Sequence, residues 1–483
     1  MKLKDLLNDI PYEIIQGDEN FEASSISWDS RKVTKGSLFI CVKGRNVDRH
    51  QYALEAIKAG ASALIIEHEV KDIPKHIPVI KVNDTRLAMA HIANIYYKNP
   101  SSKFKLIGIT GTNGKTSISL FIYEILKSLN KSTGLIGTIE NLVNDKKLKT
   151  EKLNPTTPDS IELQASFDEI SKEGAEYVVM EVTSSALSKH RVTGCDFGIG
   201  VFSNLTQDHL EEHGNMENYK NAKMKLFSMC KSAVINSDDA MSKEIMEKSR
   251  ASIITYGIET DSDFKADNIE YSFKCTEFDL YFQNKLYKVK TKLLGRFNVY
   301  NILASIAVCH SLGFTLEEIT QAVLKVKSAS GRFEIVSVPH DYLVVVDYAH
   351  SPDSLEKIIK STKALTKNKV IVVFGCGGDR DKSKRPIMGE IAGSLAHICI
   401  LTSDNPRSEN PMDIINDIED GIKNTHCSYF KIENRKEAIH KALTLAEEGD
   451  AIIIAGKGHE TYQILRDRTI HFSDVEVVED FFK

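Results

Sequence analysis

Gly108-Ile109-Thr110-Gly111-Thr112-Asn113-Gly114-Lys115-Thr116-Ser117 stands between two segments of different periodicity. Before it, Phe104-Lys105-Leu106-Ile107 is a short apolar run with the character of a buried strand. After it, Ile118 to Leu126 carries apolar residues at helical spacing. A strand, a glycine-rich turn and Gly-Lys-Thr opening a helix form the context of a P-loop. Such a loop turns backbone N–H groups and a helix N-terminus toward phosphate oxygens. Gly111, Thr112, Asn113, Gly114, Lys115, Thr116 and Ser117 are therefore the candidate nucleotide-binding residues. Lys115 adds a mobile charge for the β and γ phosphates of ATP, and the Thr116 hydroxyl is a candidate Mg²⁺ ligand. In the strict pattern the first glycine falls at position 109, which is isoleucine here, and the inner glycine sits at 111. A glycine-rich turn without a ligand is the alternative, and the flanking strand and helix weigh against it.

The 483 residues suggest about three domains. An apolar content of 42% with 27% charged residues fits an ordinary soluble globular chain. A net charge of −5 carries no electrostatic footprint for nucleic acid. No 18-residue apolar run and no signal-peptide core occur, so no membrane association is expected. Eight scattered cysteines without a CxxC pair read as a reduced, cytoplasmic protein lacking a zinc site.

Residues 1–100 read as a small α/β unit, with Asp84 capping a helix from Thr85 to Tyr97. Within it Asp29-Ser30-Arg31 could bind a nucleotide or be a plain turn. Residues 101–330 read as a central domain with strands near 104–109, 177–182, 199–204, 233–236 and 252–255. Alternation with helices predicts a mainly parallel, doubly wound sheet with ligands beyond the carboxyl ends of its strands. Glu181 falls at one such end, placed like a second Mg²⁺ anchor, and Asp208 and His209 follow another. A lone acid there is also a common helix cap. Lys220, Lys223 and Lys225 lie on one helical segment, and spacing alone singles out none of them. Asn298 and Asn301, one turn apart, could hold an adenine edge or cap their helix. Residues 331–483 read as a third, Rossmann-like α/β domain. Four apolar strands there end in Asp347-Tyr348-Ala349-His350, Gly375 to Arg380, Thr402 to Arg407 and Ala455 to Glu460. Four polar ends on one rim suit a polar ligand.

Taken together, these stretches resemble the Mur ligases of peptidoglycan synthesis over essentially the whole length. Gly111 to Thr116, Thr156-Thr157-Pro158, Met180-Glu181-Val182, Asn204 to Leu210, Asn298 to Asn301, Gly331-Arg332, Asp347 to His350 and Gly456 to Glu460 fall in the family's order. The resemblance implies a three-domain ligase that uses ATP and Mg²⁺: an N-terminal UDP-substrate domain, a central ATP domain and a C-terminal amino-acid domain. Asp404-Asn405-Pro406-Arg407 resembles the motif of members that add meso-diaminopimelate to UDP-N-acetylmuramoyl-L-alanyl-D-glutamate. Lysine-adding members differ where Arg407 stands. A guanidinium suits the second carboxylate that diaminopimelate has and lysine lacks. By the same resemblance Arg385 is the other arginine for this substrate, with Gly456 and Glu460 at its distal end. Ser30 would contact the UDP part, and Thr156, Thr157, Thr183, Lys189 and Arg191 the muramoyl-dipeptide. Lys223 matches a lysine that the family carries as a carbamate, which would ligate Mg²⁺ with Thr116 and Glu181, His209 nearby. Two positions depart from the family: Thr183-Ser184-Ser185 replaces Ser-Ser-His, and Lys189 stands where glutamine is common.

The expected reaction is amide formation through an acyl phosphate, by a monomer acting on small molecules. Lys115, Lys223 and His209 are the candidate catalytic residues. The alternatives are lysine addition on the same fold, a more distant folylpolyglutamate synthetase, a P-loop ATPase that drives a partner, and a non-catalytic nucleotide-binding module.

Overall fold

The computed structural model describes every residue of the chain except 9, 19, 45–46, 152–153, 208–209, 273–274, 329 and 367. Near the N-terminus, Tyr12–Gln16, Val79–Val82, Ala61–Ile66, Ser37–Ile40 and Ser25–Ser27 form a five-stranded sheet in that order. Only Tyr12–Gln16 runs antiparallel. Thr85–Tyr96 covers one face with Ala88, Met89, Ile92 and Ala93. It starts where Asp84 was expected to start it: the Asp84 carboxylate accepts from the N–H groups of Arg86 and Leu87 at 2.8 and 2.9 Å.

The central sheet holds seven parallel strands in the order Phe264–Tyr271, Ser252–Gly257, Cys230–Asn236, Phe197–Phe202, Lys105–Thr110, Tyr177–Glu181 and Thr133–Ile136. Lys105–Thr110, which carries the glycine-rich turn, lies between Phe197–Phe202 and Tyr177–Glu181. Three polar-ended strands are therefore adjacent. Beyond Thr133–Ile136 the short strands Asn141–Val143 and Lys146–Lys147 add on antiparallel. The sheet is thus mixed rather than purely parallel.

The C-terminal sheet runs Glu334–Val336, Leu343–Asp347, Ala451–Ala455, Val370–Phe374, Ile398–Leu401, Ser428–Lys431. All neighbours are parallel except the edge strand Glu334–Val336. Val370–Phe374 and Ala451–Ala455 are buried along their whole length. Hydrophobic clusters cover both faces, which is why these strands read as unbroken Val/Ile runs. The antiparallel hairpin Thr276–Phe282 with Lys285–Thr291 has no counterpart among the expected elements. By contacts the chain groups into two compact units: residues 1–265 with 303–322, and residues 266–302 with 323–483.

Candidate active site

In the first unit the chain leaves Lys105–Thr110 through Gly111, at φ +149°, and enters the helix Lys115–Ser128 through Gly114, at φ +88°. A Cβ on Gly111 would lie 1.9 Å from Ser203 Oγ, so only glycine fits that turn. Among the described residues no side chain caps the helix start, and its first N–H groups suit phosphate oxygens. The loop is held from outside. Asn204 Oδ1 accepts from Asn113 N at 2.9 Å, and Asn204 Nδ2 donates to Asn113 O at 3.1 Å. Ser203 Oγ donates to the same carbonyl at 2.6 Å. Thr112 Oγ1 lies 3.1 Å from the Tyr219 hydroxyl. Lys115 Nζ folds back onto Gly111 O and Thr112 O, both at 2.9 Å.

Glu181 is the centre of this site. It is almost fully buried at the carboxyl end of its strand. Its Oε2 accepts from Thr116 Oγ1 at 2.9 Å, and its Oε1 accepts from Thr138 N at 2.6 Å. Thr138 Oγ1 lies 3.0 Å from Thr156 Oγ1. Thr157 Oγ1 donates to Glu181 O at 2.9 Å, and the Thr157 and Thr183 hydroxyls lie 3.3 Å apart. A hydroxyl and a carboxylate from neighbouring elements make an all-oxygen donor pair, which suits a hard cation such as Mg²⁺. Lys223, also buried, donates from Nζ to Gly111 O at 2.8 Å, with the Tyr219 ring 4.4 Å away. As an ammonium it does not fit as a metal ligand; as a carbamate it would supply oxygens.

Arg191 fixes the turn ahead of the Thr156-Thr157 pair. It donates to Thr157 O and Asn154 Oδ1, both at 3.1 Å, and pairs through Nε with buried Asp159 at 2.9 Å. Lys189 donates to Ser185 Oγ at 3.0 Å and pairs with Glu212. Ser30 donates to Glu55 at 3.3 Å, beside the bidentate Asp29–Arg31 pair. On the same stretch, Trp28 donates through Nε1 to the buried carboxyl of Glu162 at 3.0 Å, whose pKa is raised by burial. Arg49 stacks on the Trp28 ring at 4.0 Å. Asp208 and His209 lie outside the described residues.

In the second unit the rim of the C-terminal sheet gathers Asp404, Asn405, Arg407, Lys457 and Glu460. Arg407 sits at φ +53°, with Nη1 donating to Gly378 O at 2.9 Å and, more weakly, to Asn405 O at 3.4 Å. Its Nε and Nη2 have no partner among the described residues, so one edge of the guanidinium is open. Asn405 donates to Glu460 Oε2 at 2.9 Å and accepts from Ile464 N at 2.9 Å. Asn298 and Asn301 are buried in the first turns of the helix Arg296–Ser311. Asn298 Nδ2 donates to Leu294 O at 2.9 Å, and Asn301 Nδ2 to Asn298 Oδ1 at 3.2 Å.

Three domain models match the chain: Mur ligase family, catalytic domain, over residues 22–97; Mur ligase middle domain over 109–309; and Mur ligase, glutamate ligase domain over 331–458. A UDP-N-acetylmuramoyl-L-alanyl-D-glutamate–2,6-diaminopimelate ligase of Clostridium acetobutylicum is 45% identical, over 99% of both chains. The chain belongs to the Mur ligase family. Among solved structures, one of a UDP-N-acetylmuramoyl-L-alanyl-D-glutamate–2,6-diaminopimelate ligase superposes with a TM-score of 0.73 at 33% identity, covering 100% of this chain and 98% of that one. The MurF ligase of Thermotoga maritima, solved with ADP, superposes at 0.64 with 20% identity, covering 95% and 96%. The three-domain α/β Mur ligase fold is therefore the fold of this chain.

Arg385, expected at the amino-acid site, lies among carboxylates. It is fully buried. Its Nη1 donates to Glu409 Oε2 at 3.0 Å and Asp417 Oδ2 at 2.8 Å, and its Nη2 donates to Glu409 Oε1 at 2.9 Å. Its Nη2 also reaches Gly377 O at 3.4 Å, and its Nε has no hydrogen-bond partner among the described residues. On the loop just before it Arg380 is exposed. The sequence motifs also assign no role to Asn204, Thr138 or Lys457. Asn204 and Lys457 lie inside quoted motifs, and their position at strand ends is the only signal for them. Thr138 follows Thr133–Ile136 with no motif of its own.

Proposed function

We propose that the chain is an ATP-dependent ligase joining meso-2,6-diaminopimelate to the D-glutamyl γ-carboxylate of UDP-N-acetylmuramoyl-L-alanyl-D-glutamate, in cytoplasmic peptidoglycan precursor synthesis. The observation that carries the choice of amino acid is the Arg407 guanidinium, anchored by Nη1 with Nε and Nη2 open. Those two donors suit the distal carboxylate of diaminopimelate bidentately. Glu460 is a fitting acceptor for the ammonium on the same carbon, with Asn405 and the backbone at Gly456 beside it.

A free carboxylate is a poor acylating agent, so ATP must first supply a leaving group. A γ-carboxylate oxygen attacks the γ-phosphorus, the bond to the ADP oxygen breaks, and an acyl phosphate forms. The diaminopimelate amine then attacks the acyl carbon, and the tetrahedral intermediate expels phosphate as the nitrogen loses its proton. Lys115 turns from the loop carbonyls to the phosphates, and the N–H groups of the loop hold the charge that develops there. Thr116, Glu181 and a carbamylated Lys223 would hold Mg²⁺, which when bound offsets phosphate charge. Thr156, Thr157, Thr183, Lys189 and Arg191 hold the dipeptide, and Ser30 the UDP end. Asn298 and Asn301 support the adenine site, and the active species is a monomer.

The test offers meso-diaminopimelate and L-lysine separately with ATP, Mg²⁺ and the UDP-linked dipeptide, and measures phosphate release. Release with diaminopimelate alone is expected. Preferential release with lysine would overturn the choice of amino acid, and release without either would favour a simple ATPase. Intact-mass measurement in bicarbonate tests Lys223: the wild type should carry the mass of one CO₂, and Lys223→Ala should not.

A further inference from the structure

Lys457 is fully buried, and neither its motif nor the reaction assigns it a task. Its Nζ lies 3.2 Å from Glu460 Oε2, 3.2 Å from Asn405 Oδ1 and 3.6 Å from Asp404 Oδ1, with the Tyr462 ring 5.7 Å away. An ammonium is costly to bury unless charges around it repay the desolvation. Here its partners are three polar side chains of the rim. Of the cations further out, Arg435 is matched bidentately by Asp474 at 2.8 and 2.7 Å, and Arg332 lies over the Tyr348 ring at 4.9 Å. Among the five rim residues themselves, Asp404 and Glu460 are the anions and Lys457 and Arg407 the cations. The phenol of Tyr462 reports the same mixture: its pKa is raised by burial and by Glu460 and Asp404, and lowered by Arg407.

We propose that Lys457 is a positioning and specificity-determining residue, whose buried ammonium sets the charge of the amino-acid pocket. The proposal rests on the reading of the rim given above. It acts in two ways. Lys457 and Asn405 both engage Glu460 Oε2, which fixes the carboxylate and leaves Oε1 as its open acceptor. It also balances the pocket, with two carboxylates against two cations. A balanced pocket matches the distal end of diaminopimelate, which carries one ammonium and one carboxylate. A pocket with one cation fewer is net negative, repels that carboxylate and favours an end that carries only an ammonium, as in L-lysine.

The experiment measures KM and kcat for both amino acids, and KM for ATP and the UDP-linked dipeptide, in the wild type, Lys457→Met, Lys457→Arg and the double variant Asp404→Asn/Lys457→Met. In Lys457→Met the preference for diaminopimelate over lysine should fall by roughly tenfold or more, the scale of one lost charge contact. KM for ATP and the dipeptide should stay near the wild-type values. Lys457→Arg, which keeps the charge, should keep the preference even where its rate drops. The double variant removes the buried carboxylate left without its cation, so it should fold as well as the wild type and regain preference relative to Lys457→Met. Equal losses with both amino acids in Lys457→Met, or a double variant no more selective than the single one, would overturn the proposal. A wild type that prefers lysine would overturn the reading beneath it, and the two failures are distinct.

Discussion

Two arginines near one rim differ in burial and in their partners. Arg407 keeps an open edge, whereas Arg385 is enclosed by Glu409 and Asp417. Arg407→Ala should therefore raise KM for diaminopimelate by roughly a hundredfold, the loss expected for a charged hydrogen-bonded contact. KM for ATP should move little, and an equal rise in both would count against the clamp. Arg385→Met should act on stability. It leaves Glu409 without its main partner and should cost about 3 kcal/mol of stability, read by urea denaturation; a rise in KM for diaminopimelate beside that loss would mark a substrate contact as well. The pH dependence gives a second signature. The Arg385 guanidinium, the Asp379 N–H and Lys382 lower the Glu409 pKa from 4.5 to about 2. Its contribution is therefore fully present above about pH 4.5 and is lost as pH falls toward about 2. Stability of the wild type should decline over that window more steeply than that of Arg385→Met.

At the scale of elements, the glycine-rich turn is the part most sensitive to backbone geometry. Gly111→Ala would push a methyl group into Ser203 Oγ at a φ of +149°. Ser203 could turn away only by giving up its 2.6 Å bond to Asn113 O. The cost of about 1–3 kcal/mol corresponds to a roughly ten- to hundredfold loss of nucleotide affinity, measurable with a fluorescent ATP analogue. A variant that binds as the wild type does would show that the loop tolerates a different turn. This turn was legible because its signal is local: strand, glycines, lysine and helix are contiguous. The four strands of the C-terminal rim were legible for a related reason, since strands buried on both faces read as unbroken apolar runs. The ion pairs of Arg385 were not, because Glu409 and Asp417 lie 24 and 32 residues away and nothing near the arginine announces them. The hairpin Thr276–Phe282 with Lys285–Thr291 differs again. Its turn, Gln283-Asn284 at φ +48° and +59°, and the partial alternation of buried and exposed residues in Lys285–Thr291 are local signals that the list of parallel strands passed over.

For the molecule as a whole, the chain passes between the two compact units three times, at 265/266, within the helix Arg296–Ser311 at 302/303, and at 322/323. Ligands offer a cleaner dissection than fragments. A ligand stabilises the unit it binds by RT ln(1 + [L]/Kd), about 2.7 kcal/mol at a hundredfold excess over Kd. With the glycine-rich turn in one unit and the Asp404–Arg407 loop in the other, scanning calorimetry should separate their effects. ATP with Mg²⁺ should raise the transition of the unit containing residues 1–265, and diaminopimelate that of the unit containing residues 323–483. Gly111→Ala should shrink the first shift and spare the second, and Arg407→Ala should do the reverse. A single transition that either ligand moves alone would mean that the units unfold as one cooperative body. A diaminopimelate-induced shift that Arg407→Ala leaves undiminished would place the amino acid elsewhere.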